Sequence, residues 1–228
     1  MTLQLIPNIS PYPLMGEVLN DQNTIILDFT EANTALAAVD LKNPLAFQEF
    51  VFGQMKGKKF GIGGYLENRQ IYRRSEVFAS GEKFRNIHLG IDIWAPAGSR
   101  VHAPLSGTVH SFKDNIGYGN YGPTIILQHQ LSDRVIYSLY GHLGSSDLDG
   151  LYEGKEFAKG EPICHLGEEH ENGNWPPHLH FQLMLDMKDL KGDFPGVCCG
   201  DDAEYYQSIC PDPNFIIRYQ GLPSTNKT

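Results

Sequence analysis

From Tyr65 onward, short runs of apolar residues alternate with polar ones between clusters of Gly, Pro, Asn and Asp. His88–Trp94, Thr108–Lys113, Thr124–His129, Val135–Leu143, Pro162–Leu166 and His178–Leu185 each read as a strand, because successive side chains of a strand take opposite faces. Strands at this spacing, with no helical pattern between them, predict an all-β domain, mainly antiparallel, over residues 70–217. Residues 218–228 read as a C-terminal tail.

Residues 1–69 read as an N-terminal extension that packs on or covers this domain. Pro7, Pro11 and Pro13 break any regular element within residues 1–23. Thr24–Phe29 is a short strand. Asn43-Pro44 opens one short helix, with Asn43 as N-cap, Pro44 in the first turn and Leu45, Phe47, Phe50, Val51 and Met55 as apolar positions. The run Lys56–Gly64 (KGKKFGIGG) is basic and Gly-rich but lacks phosphate-loop spacing, and is expected to be a loop.

Hydrophobic residues make up 41% and charged residues 20% of the chain, an ordinary globular balance. A net charge of −9 argues against nucleic acid and anionic membrane as partners, since both need a basic footprint. No apolar run approaches the roughly 18 residues of a membrane span. The opening MTLQLIPNISPYPLMGEV lacks a basic n-region and an apolar h-region, so the expectation is a cytoplasmic protein, the alternative being one whose export signal has been removed. The four cysteines are read as thiols of a reducing compartment, with a Cys199–Cys210 bridge left open. Cys198, Cys199 and Cys210 lack the CxxC spacing that would argue for a second metal site.

Three segments carry the candidate chemistry: His88-Leu89-Gly90-Ile91-Asp92, Tyr140-Gly141-His142-Leu143 and His178-Leu179-His180-Phe181. In a strand, His88 and Asp92 share a face, as do His178 and His180, and as do Tyr140 and His142, with apolar neighbours pointing the other way. Ligands so placed would sit on rigid elements backed by a core. Two imidazoles and one carboxylate suit a catalytic Zn2+ with a position left for water, and the remaining histidines suit proton transfer or oxyanion stabilisation. Each pattern is common alone. Their conjunction, in this order within a β-rich segment, is the signal. No HExxH occurs, which excludes the helical zinc site of that motif.

At these residues the sequence resembles the lysostaphin-like M23 family of metallopeptidases. His88–Asp92 leading into Ala95-Pro96-Ala97-Gly98 is similar to its HxGxD segment. Ala103–Val109, Tyr140–Leu143, Gly160 with Pro162–Gly167, and Pro177–Phe181 are similar to its later motifs. The resemblance covers residues 80–187. It implies a β sandwich with an open groove for an extended peptide, zinc held by His88, Asp92 and His180, and His142 and His178 as catalytic groups flanking a zinc-activated water. It implies a zinc metalloendopeptidase whose partner is a peptide, of peptidoglycan stem or cross-link type. It also implies that residues 1–60 can restrict access, as in latent relatives.

The sequence departs from the family at Glu171–Pro177, a bulkier approach to PHLHF in which Trp175 either lines the groove or packs the loop. It departs again at Gln182, where many relatives have Glu and where a contact behind a ligand is expected to change. Lys113–Pro123 and Lys188–Pro213 lie outside the family pattern. His102, His110, His129 and His165 read as structural or exposed, His170 as the spare histidine nearest to substrate, and Arg85 as a carboxylate binder or a surface ion pair. Gly64–Arg74 is expected to form one wall of the groove. The chain also resembles M23-like domains fused to aminotransferase-like and kinase-like enzymes. That likeness and the missing signal keep open a cytosolic zinc hydrolase of a non-wall amide or small peptide, and a non-catalytic peptide-binding module is the third reading.

Overall fold

The computed structural model describes residues 9–80 and 83–223. Of the arm expected over residues 1–23, residues 1–8 lie outside the described residues, and residues 9–23 form neither helix nor strand. The extension then contributes β1 (Thr24–Ile26), α1 (Pro44–Gln54) and β2 (Phe60–Gly63), followed by the short β3 (Ala79–Ser80) and β4 (Lys83–Phe84). Next come β5 (Ile87–His88), β6 (Ile91–Trp94), β7 (Arg100–His102), β8 (Gly107–Asn115), β9 (Gly122–Leu131) and β10 (Arg134–Gly141). The chain finishes with β11 (Glu156–Phe157), β12 (Pro162–His165), β13 (His178–Met184), β14 (Val197–Cys198), α2 (Ala203–Ile209) and α3 (Asn214–Ile217). The fold is strand-rich, with few helices, as expected. Among the described residues, an eight-stranded sheet runs β1-β2-β6-β13-β10-β9-β8-β11. It is antiparallel throughout except for β1 beside β2.

α1 forms as the capping signals dictate. The Asn43 side chain accepts from the Leu45 and Ala46 amides at 3.1 and 3.2 Å, satisfying donors that a helix start leaves free. Phe47, Val51 and Met55, one helical turn apart, are buried, whereas Leu45 points outward.

β2 corrects the reading of Lys56–Gly64 as a loop. Phe60 and Ile62 alternate into the core while β1 and β6 hydrogen-bond to either side. Its glycines mark close packing rather than a turn. A Cβ on Gly61 would lie 2.6 Å from Leu27, and one on Gly63 would lie 2.8 Å from both the Trp94 ring and Arg69 Nη2.

The expected strand His88–Trp94 is interrupted. His88 belongs to β5, which pairs with β14, and Asp92 belongs to β6 in the main sheet. Between them, Gly90 is forced by a close approach, since a Cβ there would meet the His180 ring at 2.7 Å. Two further helices, α2 and α3, appear beyond the single one predicted.

One face of the sheet, including Ile91, Ile93, Ile125, Leu127, Tyr140, Leu179 and Phe181, packs against the β7–β12 ribbon. The other face carries the polar residues of the site. Part of it is covered by the extension, through Phe29, Phe47 and Val51, and by the residues that follow it, through Ile71, Tyr72 and Phe78. Another part is covered by the segment after β13, through Met187, Phe194 and Cys210. The site lies where these two covers meet.

Candidate metal centre

β6 and β13 pair with Asp92 opposite His180, and with Trp94 opposite His178, so one sheet face holds both pairs in fixed register. His88 enters from the neighbouring β5. His88 Nε2, His180 Nδ1 and Asp92 Oδ1 form a nearly equilateral triangle: the nitrogens are 3.0 Å apart, and the oxygen is 3.2 Å from His88 and 3.1 Å from His180. These residues can hold a metal ion.

The protons support this. The His88 Nδ1–H donates to the Gly64 carbonyl at 3.0 Å, leaving Nε2 bare. The His180 Nε2–H donates to Gln182 Oε1 at 3.0 Å, with the Tyr121 hydroxyl at 3.3 Å, leaving Nδ1 bare. The Gln182 amide is oriented by its own donation to the Pro195 carbonyl at 3.1 Å. Three lone pairs therefore converge with no proton among them, an arrangement that repels itself and that a cation relieves. Ligand bonds of about 2.0–2.1 Å in tetrahedral geometry give edges of roughly 3.3 Å, close to the triangle observed.

His142 and His178 stand beside this triangle, their rings 4.3 Å apart. Each is fixed in one tautomer. His142 Nδ1–H donates to the Asn172 carbonyl at 2.8 Å and His178 Nδ1–H to the Pro176 carbonyl at 2.7 Å, so both Nε2 atoms are free acceptors. His178 also stacks on Trp94 at 5.4 Å. His142 reaches the site by a route different from strand alternation. β10 ends at Gly141, and His142 takes a left-handed φ of 64°, with its amide bonded to the Tyr121 carbonyl at 3.0 Å. Tyr140, expected on the same face, lies in the core against Phe181.

All five side chains are at most 5% exposed. Burial, followed by the Arg69 charge, pushes the His88 imidazole down to about 3. Burial also pushes His178 down to about 4 and, together with His178, holds His142 well below the usual imidazole range. Burial would raise the Asp92 carboxyl, but His88, Arg69 and His178 hold it well below the usual carboxylate range.

Asp92, His142, His178 and His180 floor a cavity of about 270 Å³ whose walls include Phe47, Tyr72, Phe78, Tyr121, Trp175 and Phe194. The open groove implied by the resemblance is here a pocket, because the extension and the segment after β13 wall the sheet face from both sides. The Gly64–Arg74 segment does form one wall. Trp175 both lines the cavity and packs against Phe47, Tyr72 and Phe78. Arg85 lines it too, while its Nη2 donates to the Val77 carbonyl. His170 does not line the cavity. It is exposed beside Glu168 at 3.6 Å. His129 is buried between Ser106 and Ser138 and serves the core. All four cysteines are free thiols, so Cys199 and Cys210 do not pair.

Sequence reasoning missed two residues at the site. Arg69 pairs with Asp92, and Tyr121, within the Lys113–Pro123 insertion, faces His180. Neither carries a spacing signal, because each meets its partner only through folding.

The class defined by fold and site is a mainly antiparallel β-sheet protein in which two histidines and an aspartate meet at one point and could hold a metal ion. Residues 86–191 match the family model described as Peptidase family M23. The DD-carboxypeptidase/endopeptidase Mpg of Neisseria meningitidis serogroup B is 26% identical over 145 residues, covering 61% of this chain and 31% of that protein. The protein of the same name from Neisseria gonorrhoeae matches equally. The chain thus spans about a third (31%) of the length of these curated relatives. Among solved structures, a zinc-containing peptidase from Vibrio cholerae is similar at 26% identity and a TM-score of 0.34, covering 43% of this chain and 27% of that one. The lysostaphin catalytic domain from Staphylococcus simulans is similar at 23% identity and a TM-score of 0.35, covering 54% of this chain and 80% of that one. No helix among the described residues is long and apolar enough to cross a membrane.

Proposed function

We propose that the chain is a zinc metallopeptidase that hydrolyses a peptide amide bond, with a peptidoglycan-type stem or cross-link peptide as substrate. The observation that carries the reading is the triangle of three proton-free donor atoms with edges of 3.0–3.2 Å. His88 Nε2, His180 Nδ1 and Asp92 Oδ1 are the ligands. The catalytic unit takes in residues 70–217, with residues 1–69 shaping its entrance. When bound, zinc supplies Lewis acidity that polarises a carbonyl and lowers the pKa of water toward about 7. His142 and His178 do the proton work. Their Nε2 atoms are neutral and unpartnered by hydrogen bonds, so they take a proton from the attacking water. The imidazolium so formed donates to the developing oxyanion and then to the leaving amine. The cavity walls exclude bulk water, which strengthens these interactions.

A second reading is favoured by the cavity. At about 270 Å³ it lies just below the roughly 300–1,000 Å³ of drug-sized sites. That size suits a small peptide or a single non-wall amide. Four buried free thiols support a cytoplasmic setting for such a hydrolase.

Zinc-loaded protein incubated with muropeptides, and separately with a cell extract, is expected to release a new amino terminus detectable by mass spectrometry. Chelator should abolish the cleavage, and His142→Ala should abolish it while stoichiometric zinc remains bound. Wild-type protein that carries no stoichiometric zinc would remove the reading. Binding of muropeptides without cleavage would favour a peptide-binding module instead.

A further inference from the structure

Resting on the zinc reading above, we infer that Arg69 is a positioning residue that holds the Asp92 carboxylate to one-oxygen ligation. Arg69 lies outside the matched residues 86–191, in the extension. Its side chain is 1% exposed, and its Nη1 donates to Asp92 Oδ2. The other carboxylate oxygen, Oδ1, is the one that faces His88 and His180. A carboxylate can ligate a cation through one oxygen or two. With Oδ2 engaged by the guanidinium, only Oδ1 is left, and a coordination position is kept for water and substrate.

The guanidinium is itself locked. Its Nε donates to Glu67 Oε2 at 2.6 Å and its Nη1 reaches the Tyr72 hydroxyl at 3.3 Å. Phe29 and Trp94 flank it, with their ring centroids 5.6 and 5.7 Å from Cζ. Gly63 leaves room for Nη2, since a Cβ there would stand 2.8 Å away. Glu67 also cancels the Arg69 charge, so the clamp adds no net positive charge against a cation. The same segment supplies the Gly64 carbonyl that fixes His88. Two of the three ligands are therefore oriented by residues 64–69, and outer contacts of this kind set both ligand geometry and metal affinity.

The decisive variant is the double substitution Glu67→Gln with Arg69→Met, which removes the clamp while leaving the net charge unchanged. Cobalt(II) in place of zinc reports coordination number through visible absorption, strong for four ligands and weaker for five or six. The double variant is expected to fold, to show the weaker spectrum, and to bind zinc about tenfold to a hundredfold less tightly. If it fails to fold, Arg69→Lys keeps the charge but loses the planar fork, and the same spectral change is expected with a smaller loss of affinity. A wild-type cobalt spectrum with wild-type zinc affinity in the folded variant would overturn the inference. Wild-type protein that takes up neither metal would instead bring down the zinc reading, and the inference with it.

Discussion

Gln182 stands two residues beyond His180 on the same face of β13, and its Oε1 accepts the hydrogen bond from Nε2–H that fixes the tautomer with Nδ1 bare. The departure at this position was visible in the sequence as a change behind a ligand, and the geometry agrees. Gln182→Met keeps the volume but removes the acceptor, so His180 loses its fixed tautomer. Zinc affinity should fall about tenfold or more with the fold retained, as measured by competition with a chelating dye. Undiminished affinity would show that the Tyr121 hydroxyl at 3.3 Å suffices. His178 and His180 were legible as candidates because even spacing on a strand is a local property, whereas His88 and Asp92 were legible by their motif, since the chain breaks between β5 and β6. His142 was legible by its motif, but its left-handed turn was not.

β2 shows how composition misleads at the scale of an element. Lys56, Gly57, Lys58, Lys59 and Gly64 around it suggest a turn, yet Ile62 is fully buried and the strand sits next to β6, which carries Asp92. Gly61 and Gly63 weaken a strand in isolation. Here they admit Leu27, Trp94 and Arg69 where a Cβ would clash. Ile62→Ala should cost about 2–5 kcal/mol of unfolding free energy, read from urea denaturation, as expected for a buried Ile truncated in a packed core. A cost below about 1 kcal/mol would mean that β2 is not integral to the sheet. α1, by contrast, was legible because its Asn-Pro cap and its stripe of Phe47, Val51 and Met55 act over one or two turns.

Across the whole molecule, burial of several neutral histidines ties stability to pH. In the folded apoprotein, burial holds His129 and His142 below the ordinary 6.5, and brings His178 to about 4. The unfolded chain binds those protons near pH 6.5, so below that pH it holds more protons than the folded state. Stability is therefore fully present above pH 6.5 and declines as pH falls toward 4. The urea midpoint of the apoprotein should drop steadily over this window. A flat profile would mean that these histidines are solvated in the fold.

Spacing and alternation along the chain were enough to mark a β-rich domain and the α1 start, and three short motifs taken together marked the five histidine and aspartate positions, since each depends on neighbours within a few residues. Contacts across 23 residues from Arg69 to Asp92, 24 from Gly64 to His88 and 59 from Tyr121 to His180 could not be read that way. The first two exist because β2 joins β6 and the segment after it returns to the sheet face, and the third because β10 pairs with both β9 and β13. The same packing turned an expected groove into a pocket. Which protons leave the three donor atoms bare, and how narrow the approach to them is, are consequences of that long-range burial, where each buried polar group must find its partner.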